Sequence, residues 1–134
     1  PGQDLPAVVP NPASEGRLVH MLKWGLELPW ARDHGNEPKL INARSETVLE
    51  KRAFGDAFRH RRCLIPVDGF YEWQKVPGGK QPWYIRARAG EPLALAGLWE
   101  LWDGRGTEPP LATCTIVTTR ANDFMRPLHE RMPG

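Results

Sequence analysis

Leu93-Ala94-Leu95-Ala96-Gly97-Leu98-Trp99 is apolar at every position. In a β-strand successive side chains point to opposite faces, so a run without polar alternation has no face to offer water. This pattern predicts a central strand, covered on both sides, within Pro92 to Asp103. The rest of the chain must then supply neighbouring strands and a layer for each face. With 134 residues, 40% of them hydrophobic and six of them Trp, there is enough material for one such core.

Outward from that strand, short apolar runs separated by Pro and Gly predict further strands at Arg17 to Leu28, Arg62 to Val67, Gly69 to Lys75, Pro82 to Arg88 and Ala112 to Thr119. Pro77-Gly78-Gly79-Lys80 predicts a hairpin between two of them. Residues 1–16 hold four Pro and two Gly and predict an extended lead-in segment, and Pro29 to Lys39 predicts a loop. Thr47 followed by Glu50 is a capping box, and Leu49, Ala53, Phe54, Ala57 and Phe58 recur at helical spacing, which predicts a helix from Val48 to about His60. Gly55 within it weakens that helix by about 1 kcal/mol relative to Ala. Arg120 to Leu128 suggests a second, short helix. The expected fold class is α+β, a single domain over residues 1–134, with a mostly antiparallel, curved or barrel-like sheet and few helices.

Composition narrows the functional classes. There is no stretch of eighteen apolar residues, and Pro1-Gly2-Gln3-Asp4 has neither the basic nor the apolar part of a secretory signal, so a soluble, cytoplasmic protein without membrane association is expected. Cys63 and Cys114 sit in apolar runs without paired metal spacing, as buried free thiols would. The net charge of +2 does not by itself identify a nucleic-acid binder. Its distribution is uneven, however, with ten Lys/Arg against six Asp/Glu in residues 17–62 and eight of each in residues 63–134. Both a modest basic face and an ordinary solvated surface fit this. The absence of Met at the start, and the stop directly after Met132-Pro133, suggest a chain truncated at both ends. A monomer is expected.

Three separated segments carry candidate chemistry: Asn42-Ala43-Arg44-Ser45-Glu46-Thr47, Pro66-Val67-Asp68-Gly69-Phe70-Tyr71-Glu72-Trp73, and His129-Glu130-Arg131-Met132-Pro133. An amide, a carboxylate and an imidazole in one cleft would form an acid/base site. Alternation places Glu72 with Phe70 on one strand face and Tyr71 with Trp73 on the other. Apolar surroundings disfavour a charged carboxylate and suit it to proton transfer near neutral pH, whereas on a half-exposed strand Glu72 would simply point to solvent. His129 could shuttle a proton or stabilise an anion, although a histidine in such a place is more often a cap or a satisfied core residue. Asn42 could orient a substrate, and Arg44, on the same face if extended, could hold a phosphate; a turn Asn and a surface ion pair are the alternatives. Trp24 and Trp30 interleave with Lys23 and Arg32 as in a single-strand groove, or serve the core. His20, His34 and His60 make no metal pattern with His129, so neither metal nor other cofactor is expected.

Trp24-Gly25-Leu26, the Asn42 to Thr47 segment, Arg62 through Trp73, Thr118-Thr119 and His129 to Pro133 occur in an order that closely resembles the SRAP family, the SOS response-associated peptidase-like proteins. The resemblance covers essentially the whole chain. It implies a sensor of abasic sites in single-stranded DNA that links itself covalently to the lesion, with self-processing peptidase activity. In that family an amino-terminal Cys condenses with the ring-opened sugar, its amine giving a Schiff base and its thiol closing a thiazolidine. By resemblance Glu72 is the acid/base, Asn42 positions the amino-terminal Cys, and His129 assists proton transfer. Arg44 contacts phosphate, Thr118 lies beside the histidine, and Trp24 lies in the DNA-facing region.

The family's amino-terminal Met-Cys-Gly-Arg-type segment is not among these residues, and Pro1-Gly2-Gln3 matches a stretch downstream of it. Cys63, inside a strand and without a free α-amine, cannot take that role. The 134 residues alone are therefore expected to be inactive in crosslinking. Two alternatives stand beside the crosslinker: a general peptidase, and a noncatalytic single-stranded DNA-binding module whose binding is reversible and salt-sensitive.

Overall fold

A computed structural model describes residues 1–31, 39–103 and 109–134. Nine strands and one short helix follow one another among them: β1 (Asp4–Pro10), β2 (Arg17–Trp24), β3 (Asn42–Arg44), α1 (Gly55–His60), β4 (Arg62–Val67), β5 (Gly69–Val76), β6 (Gly79–Arg86), β7 (Leu93–Trp102), β8 (Leu111–Arg120) and β9 (Arg131–Pro133). The fold is α+β, with one large, mainly antiparallel sheet ordered β2-β1-β4-β7-β8-β3. β9 adds to β8, and β5 with β6 forms a separate hairpin.

β7 explains the curvature. It pairs with β4 from Arg62↔Leu98 to Val67↔Leu93 and with β8 from Gly97↔Ile116 to Trp102↔Leu111. Both its faces are covered, as its sequence requires: Leu95 packs in a cluster with Ile65, Cys63, Ile116 and Cys114, and Leu98 in another with Phe54, Ala57, Val48 and Val117. The first cluster fills the inside of the bent sheet. The second lies between the sheet and the α1 region. At Gly97 an added Cβ would come 2.7 Å from Ile65 Cδ1 and 2.9 Å from Cys63 Sγ, so the absent side chain leaves the space that these two core side chains fill. The sheet bends until β2 meets β8 through Lys23↔Thr113 and Trp24↔Cys114, while the ladder between β1 and β4 is reduced to the single pair Val8↔Leu64. The result is ring-like rather than a fully laddered barrel.

Several expectations need correction. Residues 1–16 are not merely extended: β1 pairs with β2 along its whole length, with Ala7 and Val9 buried. Its prolines are compatible because β1 is nearly an edge strand on its other side, where a missing N–H breaks no ladder. The helix from Val48 reduces to α1, preceded by tight turns over residues 45–50 and 52–54. Gly55 N–H makes a helical bond to Lys51 O, but a Cβ at this position would lie 2.7 Å from Leu49 O, so the turns before α1 press backbone against its first residue. Residues 123–128 form turns rather than a second helix, since Pro127 lacks the N–H that helix continuation needs. The hairpin at Pro77-Gly78 stands, but β6 begins at Gly79 rather than Pro82. Most of the Pro29 to Lys39 loop, with Arg32 and His34, lies outside the described residues.

Among the described residues no helix is long and apolar enough to cross a membrane, and no three His, Cys, Asp or Glu side chains converge as metal ligands.

Candidate acid/base pocket

Asn42, Glu72, Thr118 and His129 line one pocket of about 460 Å³, whose walls include Trp24, Phe70, Leu95 and Ile116. Four elements meet there. β3 runs parallel to β8 with Asn42↔Ile116 and Arg44↔Thr118 in register, so Asn42 and Arg44 face outward while Ala43 is buried between them. β5 presents Phe70, Glu72 and Gln74 on its less exposed face, and Tyr71 and Trp73 lie on the other, 68% and 52% exposed. The aromatic neighbours of Glu72 in sequence thus rim the pocket, and the apolar walls come from distant strands.

The Glu72–His129 spacing is set by specific tethers. Gln74 Nε2 donates to Pro127 O at 2.9 Å, tying β5 to the segment leading into His129. That segment is closed at its ends by the Ala121 N–H to Glu130 O bond. It is turned internally by Asn122 Oδ1 accepting the Met125 N–H, with Met125 buried. His129 Nε2 then lies 3.9 Å from Glu72 Oε1. This exceeds a direct hydrogen bond, and an oxygen or nitrogen seated to one side of the pair can reach both groups. The Arg131 N–H donates to His129 Nδ1 at 3.0 Å and Arg131 O lies 3.3 Å from the same nitrogen, so this backbone holds the ring with Nε2 turned toward Glu72. Glu72 Oε1 also accepts the Trp73 N–H at 3.1 Å, and its side chain is 19% exposed. The pair is therefore sheltered but accessible.

Trp24 Nε1 donates to Ile41 O at 2.8 Å, fixing the ring as a wall of the pocket at the start of β3. Arg44 does not line the pocket. It projects beside it, 66% exposed and 3.8 Å from Glu46. Trp30 is engaged elsewhere, with Arg52 stacked 4.7 Å from its ring centroid.

Arg131 is the site residue that side-chain reasoning from sequence overlooked. Its Nη2 donates to both Thr118 O and Thr118 Oγ1 at 3.0 Å, and its Nη1 donates to Glu46 Oε1 at 2.9 Å. It thereby joins β8, β9 and the turn after β3. The hydrogen bond from Arg131 holds the Glu46 carboxyl down at about 2, so Glu46 is ionised at any working pH. The only available signal was its place in the His129 to Pro133 motif.

The thiols are of a different kind. Cys63 and Cys114 are buried in the core, and burial pushes them up to about 12 and about 11. Protonated and inaccessible, they are not nucleophiles.

Comparison with known proteins identifies the family. A sequence model of the family described as SOS response associated peptidase (SRAP) matches residues 1–134. The chain is 44% identical over 134 residues to the abasic site processing protein YoaM of Bacillus subtilis, a match covering 99% of this chain and 58% of that protein. It is 32% identical to the abasic site processing protein HMCES of Gallus gallus, over 90% of this chain and 43% of that one. A crystal structure of a protein from Bacteroides thetaiotaomicron superposes with a TM-score of 0.86 at 27% identity, covering 98% of this chain and 58% of the other. The chain thus spans between 43% and 58% of the length of these proteins.

Proposed function

The chain belongs to the SRAP family, and on that basis we propose that its pocket processes abasic sites in single-stranded DNA through a covalent adduct. The observation that carries this reading is the placement of Glu72 and His129 3.9 Å apart in a pocket shared with Asn42. Relatives named for abasic site processing support it.

The chemistry follows from what such a pocket can do. An abasic deoxyribose in its open form exposes an aldehyde. An amino-terminal Cys, supplied from outside these 134 residues, adds its amine to the aldehyde carbon; the carbinolamine loses water to an imine, and the thiol adds to the imine carbon to close a thiazolidine. Glu72 accepts and returns the proton that moves in ring opening and dehydration. His129 donates from Nε2 to a sugar oxygen seated beside the pair, and the Asn42 amide orients the incoming amine. Arg44 contacts a flanking phosphate, and Trp24 and Thr118 complete the DNA-facing surface. The five-membered ring forms because both nucleophiles reach one carbon without further loss of freedom. No metal or other cofactor is required for these steps. The associated peptidase activity is removal of the protein's own leading Met, and we assign the protein to the cytoplasm as a monomer.

A thiol peptidase built on the cysteines of these residues has no support, since both are buried in the core. The test is to incubate the full-length protein with single-stranded DNA bearing one abasic site and run a denaturing gel. A shifted band that disappears when the amino-terminal Cys is replaced by Ala supports the crosslinker. Binding that never survives denaturation overturns it in favour of a noncatalytic DNA-binding module.

A further inference from the structure

We infer that Glu46 is an internal anion that occupies the two arginines at the pocket rim when no strand phosphate does, and that it thereby weakens the hold on undamaged DNA. The inference rests on the DNA-binding reading above and adds a residue that sets specificity within it.

The geometry is that of one carboxylate serving two guanidinium groups. Glu46 Oε1 accepts from Arg131 Nη1 at 2.9 Å, and Glu46 Oε2 lies 3.8 Å from Arg44 Nε. Ser45 Oγ also donates to Glu46 Oε1, at 3.3 Å. Arg131 cannot swing away, because its Nη2 is fixed on Thr118 O and Oγ1, and Thr118 is itself part of the pocket. Glu46 by contrast stands on the outside, with 39% of its side chain exposed against 19% for Arg131. A strand approaching the rim meets the carboxylate first.

Carboxylate and phosphate are alternative partners for a guanidinium. A phosphate that engages Arg131 or draws Arg44 inward must replace Glu46 or accept its negative charge nearby. With Glu46 ionised, the three side chains together present a charge of about +1 instead of +2. Every strand bears that cost, but only one with a vacant base position can offset it by filling the pocket. Discrimination then comes from a penalty on wrong partners as well as an attraction to the right one.

The test compares wild-type full-length protein with Glu46→Gln, which keeps the side-chain shape and an acceptor oxygen, using a short oligothymidylate without lesions across a series of salt concentrations. The variant is expected to bind about fivefold more tightly near ~50 mM salt, with the slope of log K against log salt steeper by about 0.7, the increment of one further phosphate neutralised on a single strand. Glu15→Gln, in the turn at the far end of β1 and β2 from Trp24, serves as the control for net charge and is expected to stay within about twofold of wild type. Equal affinity and slope for Glu46→Gln and wild type overturn the inference. So does weaker binding, which would mean that Glu46 only braces Arg131. Melting temperatures measured on the same samples are expected to match; if the Gln variant melts early, Glu46→Asp, which retains the charge, must bind like wild type for the inference to stand. If wild-type protein binds no single strand at all, the DNA-binding reading itself fails, and this inference with it.

Discussion

At the scale of single residues, the pocket separates groups by where their charge is balanced. Glu46 and Arg131 neutralise each other at the rim. Glu72 and His129 lie close enough together to reach one substrate atom seated beside them. Arg44, mostly exposed and loosely paired, is the cation best placed to reach a phosphate. Arg44→Ala is expected to weaken affinity for single-stranded DNA and to reduce the salt slope by about 0.7. A salt titration with a short oligonucleotide measures both, and unchanged values would place Arg44 in the scaffold. The polar residues of the site were legible only in part. Asn42, Glu72 and His129 stand out because each interrupts a tightly patterned segment that matches a family motif. The Glu46–Arg131 pair spans segments far apart in the chain, and nothing in local spacing announces a contact of that kind.

At the scale of elements, α1 is joined to the sheet by an ion-paired arginine. Arg61, directly after the helix, pairs with Asp56 and with Glu100 of β7, whose side chain is 4% exposed. Burial pushes the Glu100 carboxyl above its ordinary 4.5 in spite of Arg61. A raised carboxyl favours the fold most below about 4.5 and loses that contribution as pH rises through its folded value. Removing Arg61 raises it further. Arg61→Ala is therefore expected to cost about 3 kcal/mol at neutral pH and less in acid, while an apolar pair at both positions, Arg61→Met with Glu100→Leu, restores most of it. Urea unfolding at two pH values measures this, and a loss under about 1 kcal/mol at neutral pH would contradict it. Element prediction succeeded where one signal dominated, as in the doubly apolar β7. It failed where a backbone constraint overrode the pattern: tight turns bring Leu49 O against Gly55 inside a helical periodicity, and Pro127 interrupts another. β1 was hidden because its prolines speak against a strand unless its edge position is known.

At the scale of the molecule, a ring-like sheet brings β3, β5, β8 and the segment before β9 to one side. Residues distant in sequence become neighbours there because β8 pairs with both β3 and β9 while Gln74 anchors the β5–β6 hairpin to Pro127. The central claim is that Glu72 and His129 act on one substrate as a unit. It is tested most directly by a double-mutant cycle on the rate of adduct formation between the full-length protein and abasic single-stranded DNA, followed on denaturing gels. Glu72→Gln is expected to slow the reaction about 100-fold while DNA binding persists, and adding His129→Ala is expected to slow it by much less than His129→Ala does alone. Wild-type rates in both single variants, or losses that simply multiply, would contradict the account.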